Sequence, residues 1–184
     1  MHWLQDIDIS ILLFIQEYIR VDALNGFWQM ITSLGDNGWF WLTVSIILLI
    51  PKKTRLIGVT SLISISLGAV MTNLILKNWV ARIRPYDLTT AIVPLITKPT
   101  DFSFPSGHTT ASFACACICY RMLPKRYGIP PLILATLIAF SRLYVGVHYP
   151  TDVIGGLLIG LVSSHLAYRM ISIWQEKKEN GCRI

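Results

Sequence analysis

The stretch IGGLLIGLVSSHLAYRMISIW, residues 154–174, decides the fold. It is close to the ~20 predominantly apolar residues that cross the hydrocarbon core of a bilayer. Further apolar runs recur along most of the chain after residue 38. Of the 184 residues, 53% are hydrophobic and only 14% are charged. These features describe an all-α, polytopic transmembrane helix bundle rather than a soluble domain with buried central helices.

Working outward from that run, five spans are expected, at about 38–51, 56–76, 104–122, 130–146 and 152–173. The segment 9–19 is apolar but short, and Gln16, Glu17 and Arg20 crowd its end. Residues 24–34 place Leu24, Phe27, Trp28, Ile31 and Leu34 near helical spacing. Residues 1–35 are therefore read as interfacial amphipathic helices, with a sixth short span at 9–19 as the alternative. Residues 36–174 form the transmembrane domain and 175–184 a tail. The opening residues Met1 to Asp6 carry no basic region, so insertion is expected to use the internal spans.

The formal net charge is +6. The basic residues cluster between apolar runs, as membrane topology arranges them, and not as a face for nucleic acid. Three segments (51–55, 121–126 and the tail from Arg169) hold ten Lys and Arg with two acids, Glu176 and Glu179, whereas the rest of the chain holds six basic and eight acidic residues. The excess of positive charge assigns those segments and the C-terminus to the cytoplasm. The N-terminal helices, the 77–103 loop and the 147–152 turn then face outward. Cys115, Cys117 and Cys119 lie within one apolar run and Cys182 in the tail. They read as small residues at helix contacts rather than metal or redox ligands.

Three polar clusters fall at the outer ends of spans. In the first, Lys77 and Arg84 are seven residues apart, two helical turns, which puts two cations on one face if the helix continues to Pro85. Headgroup anchoring fits that pair equally well, and Arg82, off the face, is assigned to headgroup contact. The second is Pro105-Ser106-Gly107-His108. Proline suits the first turn of a helix, and the free N–H groups there suit an anion. A plain cap with an incidental histidine fits as well. The third is Ser141-Arg142 followed by His148 and Asp152. Arg142 is deep for a charge, and ionisable groups in a membrane are functional candidates by default. His148 and Asp152, four apart, can meet so that the carboxylate holds one imidazole nitrogen and leaves the other free. A buried structural pair is the alternative. Asp87 and Asp101 lie in the outer loop with no evident partner, and His165 reads as a packing residue within the last span.

In order, these clusters read K-x6-R-P, P-S-G-H and S-R-x5-H-x3-D. This three-part pattern resembles the signature of the type 2 phosphatidic acid phosphatase superfamily, the lipid phosphate phosphatases. The resemblance implies that His148 attacks phosphorus to form a phosphohistidine, Asp152 orients it, and His108 protonates the leaving group. It also implies that Lys77, Arg84, Ser106, Gly107 and Arg142 bind the phosphoryl oxygens, with no metal and no cofactor. Undecaprenyl diphosphate is the first expected substrate, before phosphatidylglycerol phosphate and phosphatidic acid, with the site on the outer side of the plasma membrane. A phosphotransferase using the same intermediate and a non-catalytic transporter are the competing readings.

Overall fold

The computed structural model describes residues 2–181; Met1 and Cys182 of the tail lie outside the described residues. Every element among the described residues is helical. Helix α1 (His2–Phe14) continues through a π-helical turn (Ile15–Ile19), and α2 (Asp22–Ser33) and α3 (Trp39–Leu49) follow. Helix α4 (Arg55–Ala69) runs through a second π-helical segment (Val70–Leu76) into α5 (Lys77–Val80). A short α6 (Pro85–Leu88) precedes α7 (Gly107–Met122), α8 (Lys125–Tyr144) and α9 (Pro150–Gly181).

Three helical stretches, Arg55–Leu88, Lys125–Tyr144 and Pro150–Asn180, are long and apolar enough to cross a membrane. Helices α3 and α7 hold 11 and 16 residues. The shortness of α7 goes with its position: it packs against α4, α8 and α9, and Ala114, Cys115, Ala116 and Ile118 on it are 0% exposed. A helix surrounded by other helices does not need the uniformly apolar surface that lipid demands.

Close approach to α7 depends on small residues of its neighbours. A Cβ added to Gly160 of α9 would lie 2.8 Å from Phe113 Cβ, and one on Gly68 of α4 would lie 2.9 Å from Thr110 Cγ2. Without a hydrophobic driving force between helices in lipid, such close packing is what holds the bundle. The thiols of Cys115, Cys117 and Cys119 are unpaired on this central helix, in keeping with a packing role.

Two boundaries differ from the sequence expectation. Helix α8 begins at Lys125 and carries Pro130 and Pro131 inside it. Helix α7 begins at Gly107, not at Phe104, because Ser106 is its N-cap. Pro105 therefore stands outside the first helical turn, and the Phe104–Pro105 peptide is cis. His165 is exposed on α9 and does not pack in the core.

The N-terminal helices brace the end of the bundle that carries the polar clusters. On α1, Asp8, Leu12 and Ile15 share one buried face, and Ile7, Ile11 and Phe14 point outward. Arg20 donates to the carbonyls of Tyr144 and Val93, and Gln29 to that of Leu95. Trp28 of α2 packs against the rings of Phe140 and Tyr144.

The α7–α9 contact sets an expected outcome. Gly160→Val should destabilise the protein by about 1–3 kcal/mol, the usual cost of overpacking. Gly26→Ala, on α2 with nothing within 4 Å of the added carbon, should be neutral or mildly stabilising. Thermal unfolding of both variants in detergent checks the contrast; equal midpoints would contradict the packing assignment.

Candidate active site

Helix α9 starts with Pro150 at its first position, where a missing N–H is harmless. Asp152, at the third position, reaches back so that Oδ2 accepts the backbone N–H of Tyr149 at 3.0 Å. This is the reciprocal half of a capping box, and it fixes the carboxylate beside the chain that leads into the helix. His148 lies there: its Nδ1 is 3.4 Å from Asp152 Oδ2. Asp152 Oδ2 also accepts Ser103 Oγ at 2.5 Å, and Oδ1 accepts Arg82 Nη1 at 2.7 Å. Gly146, with φ +74, makes the turn out of α8 that brings His148 to this point.

The other imidazole nitrogen faces the cations. Arg84 Nη1 is 3.4 Å from His148 Nε2 and donates to the Val147 carbonyl at 2.8 Å. Burial lowers the His148 pKa most, Asp152 opposes that, and Arg84 and Arg142 lower it further, to about 3. The imidazole is thus neutral over the physiological range, with Nε2 directed at the anion-binding groups.

Lys77 and Arg84 converge, but not by helical periodicity. The helix ends at Val80, Ala81 is left-handed at φ 47, and Arg84 is extended before Pro85. The convergence therefore comes from a reversal at Ala81 and not from a shared helix face. Asp101 joins the two cations: it pairs with Lys77, and its Oδ1 accepts Arg84 Nη2 at 2.6 Å. This corrects the expectation that Asp101 lacks a partner. Partial burial raises the Asp101 pKa, but the hydrogen bonds and charges of Lys77 and Arg84 outweigh it and hold it at about 2.

Arg142 is 2% exposed; Nη1 donates to Thr32 Oγ1 at 2.5 Å, while Nε is buried with no partner. A buried guanidinium nitrogen without an acceptor is costly in a closed protein and is natural where an anion is to arrive. Ser106 Oγ accepts from the Thr109 N–H and Oγ1, which leaves its own proton to donate. A Cβ on Gly107 would lie 4.0 Å from Lys77 Nζ, so glycine keeps the α7 N-terminus open towards that cation. His108 Nε2 lies 2.9 Å from Asp36 Oδ1, a contact that draws Asp36 below its usual carboxylate pKa.

Lys77, Arg84, Gly107, His108 and Arg142 line one cavity of about 820 Å³, together with Asp101, Asp36 and Thr32. His148 and Ser106 are absent from its wall and lie buried at its edge, His148 beneath Arg84. The cavity continues along α4 past Thr72, Ala69 and Gly68 to Ile65. From Lys77 to Ile65 is about 18 Å of helix at 1.5 Å per residue. One end is thus cationic and the other apolar, as an amphiphile with an anionic head requires. Among the described residues, no three His, Cys, Asp or Glu side chains are grouped to hold a metal ion.

Four participants escaped the sequence reading. Arg82, assigned from its spacing to headgroup contact, inserts between Asp152 and Asp8, stacked 3.8 Å over the Tyr149 ring. Thr32 and Asp36, from the segment around α2, reach Arg142 and His108, and Asp101 bridges Lys77 and Arg84. No local pattern marks them, because their partners stand elsewhere along the chain.

The chain is similar to known proteins over most of its length. The PAP2 superfamily pattern matches residues 58–176. An undecaprenyl-diphosphatase from Sulfolobus acidocaldarius is 36% identical over 175 residues, covering 95% of this chain and 84% of the relative. The crystal structure of a transmembrane PAP2-type phosphatidylglycerolphosphate phosphatase from Bacillus subtilis superposes with a TM-score of 0.76 at 30% identity, covering 96% of this chain and 88% of that one. Aquifex aeolicus LpxE gives a TM-score of 0.75 at 28% identity, covering 86% and 93%.

Because Asp101 occupies two cations of the cavity, an incoming anion must compete with it. Asp101→Asn is expected to tighten inhibition by orthophosphate about tenfold, equivalent to about 1.4 kcal/mol. Competition assays with wild type and variant measure this; weaker inhibition in the variant would mean that Asp101 orients the cations instead of blocking them.

Proposed function

This chain belongs to the PAP2 superfamily and is a membrane lipid phosphatase, and from that premise we propose that it hydrolyses a polyprenyl diphosphate, undecaprenyl diphosphate first, through a phosphohistidine at His148. The observation that carries the reading is His148, neutral and held at Nδ1 by Asp152, with Nε2 turned towards Arg84 and the cavity.

In the proposed reaction the terminal phosphoryl group sits against Lys77, Arg84, Arg142, the Ser106 hydroxyl and the Gly107 N–H. Nε2 of His148 attacks phosphorus in line, and the bond to the lipid monophosphate breaks as His108 supplies a proton to the departing oxygen. Water, deprotonated by His108 in the second half, then attacks the phosphohistidine and releases orthophosphate. Three cations and a helix N-terminus spread the transition state's charge, so the proposal requires no metal. The cavity that runs from the cations along Gly68 and Ala69 to Ile65 favours a lipid chain lying beside α4. The 36%-identical relative is named for the same substrate class.

For membrane placement, we propose five spans (α3, the α4–α5 helix, α7, α8 and α9) with α1 and α2 interfacial. The site then lies on the extracytoplasmic side of the plasma membrane and the C-terminus in the cytoplasm, as the Lys and Arg distribution suggests.

His148→Ala should abolish orthophosphate release from undecaprenyl diphosphate, while wild-type activity should persist in EDTA. Loss in EDTA would overturn the metal-free proposal, and release of phosphate only with an added acceptor would favour a phosphotransferase. Turnover should follow a bell-shaped pH profile. The acid limb reflects protonation of His148, which faces Arg84, Arg142 and Asp152 and remains neutral above about pH 3. The alkaline limb reflects loss of the His108 proton. A profile with no loss of turnover on one side of its optimum would contradict the role assigned to that limb.

A further inference from the structure

We infer that Asp8, on the N-terminal helix α1, is a positioning residue for catalysis that sets the Asp152–His148 pair through Arg82 and the first turn of α9. The inference rests on the reading of His148 as nucleophile.

Asp8 is 1% exposed, although α1 is otherwise apolar where it is buried. A lone carboxylate in that position is costly unless its oxygens are satisfied. Both are: Oδ1 accepts the backbone N–H of Thr151 at 3.1 Å, and Oδ2 accepts Thr151 Oγ1 at 2.5 Å and Arg82 Nη2 at 2.6 Å. Thr151 is the second residue of α9, whose N–H has no partner within the helix. Asp8 therefore caps α9 from another helix and places negative charge at its positive end.

Arg82 connects the two carboxylates. Its Nη1 donates to Thr151 Oγ1 at 2.6 Å and to Asp152 Oδ1 at 2.7 Å, while Nη2 is given to Asp8. Were Asp8 absent, Arg82 would face Asp152 alone. Its full charge would then draw on the carboxylate that polarises His148 Nδ1. Sharing Arg82 between two acids leaves Asp152 with more of its charge for the imidazole. Asp8 touches neither His148 nor the cavity, so it acts only through its neighbours.

Two variants should move the acid limb of the pH profile in opposite directions. In Asp8→Asn, Arg82 neutralises Asp152 more fully, imidazolium is less favoured, and the limb moves to lower pH. In Arg82→Ala, Asp152 keeps its whole charge and the limb moves to higher pH. The other groups facing His148, Arg84 and Arg142, are unchanged in both.

The test uses the full chain in detergent with undecaprenyl diphosphate, comparing wild type, Asp8→Asn, Arg82→Ala, Arg82→Lys, the Asp8→Asn/Arg82→Ala double variant and His148→Ala. Asp8→Asn is expected to lower kcat about tenfold with KM within about twofold. The double variant should lose less than the product of the two single losses, because part of the effect of Asp8 passes through Arg82. Wild-type kcat in Asp8→Asn, losses that multiply in the double variant, or limbs that shift the same way would each overturn the inference. Should Asp8→Asn fail to fold, the arginine pair decides. Arg82→Lys should then hold the wild-type limb while Arg82→Ala raises it, and equal limbs in the two would overturn it. Activity surviving in His148→Ala would instead remove the nucleophile reading. An inactive His148→Ala beside a wild-type Asp8→Asn would sink the Asp8 inference alone.

Discussion

Concentrating positive charge in a poorly hydrated cavity is unfavourable unless each cation is matched, and that constraint shapes the outer end of this bundle. Lys77, Arg84 and Arg142 gather at one cavity, with Arg84 against His148 and Arg82 on Asp152. They are held from several parts of the chain: Arg82 by Asp8 and Asp152, Lys77 and Arg84 together by Asp101, and Arg142 by Thr32. The partners come from α1, from the end of α2, from the loop before α7 and from the start of α9. Matching the cations therefore also fastens the N-terminal helices and the outer loop to the bundle.

The matching is uneven, and the unevenness separates scaffold from binding surface. Asp152 and Asp8 are almost wholly buried and fully engaged, so Arg82 is a fixed part of the frame. Asp101 is different: its side chain is 49% exposed, and it sits at the cavity wall on cations suited to phosphate. Arg142 retains an unpartnered Nε beside the same cavity. Ion pairs that solvent can reach are weak and exchangeable, whereas those sealed from water are expensive to break. The cations on the exposed side can thus change partner without disturbing the pair that orients His148.

Much of this site was legible in the sequence because its core chemistry is local. His148 and Asp152 are four apart at a helix start, and Ser106 to His108 open a helix, so spacing alone brings each group together. Lys77 and Arg84 converge on Asp101, but a left-handed Ala81 and an extended Arg84 replace the helical face that their spacing suggests. Arg82, Asp101, Asp36, Thr32 and Asp8 were missed. Their partners lie 17 to 143 residues away in sequence, and no periodicity encodes a contact of that kind. The fold shows the same division. Three long apolar helices stand out by composition, but α7 reads weakly because its lipid-free surroundings allow Ser, Thr and Cys in place of a continuous apolar surface.

The position of Arg84 links the frame to the reaction. It lies over His148 Nε2 at 3.4 Å, tethered on one side to Val147 and on the other to Asp101. An anion that replaced Asp101 would draw Nη2 towards itself while the Val147 bond still held Nη1 near the imidazole. The guanidinium would then present the phosphoryl group to Nε2 instead of shielding it. The proposed attack further requires Nε2 to carry its lone pair outward, which the Nδ1 contact with Asp152 would secure when Nδ1 bears the proton. In the proposed mechanism, exposing His148 and seating the phosphate would be one movement of one side chain. The energy for it comes from exchanging a carboxylate for a more highly charged phosphate on the same cations.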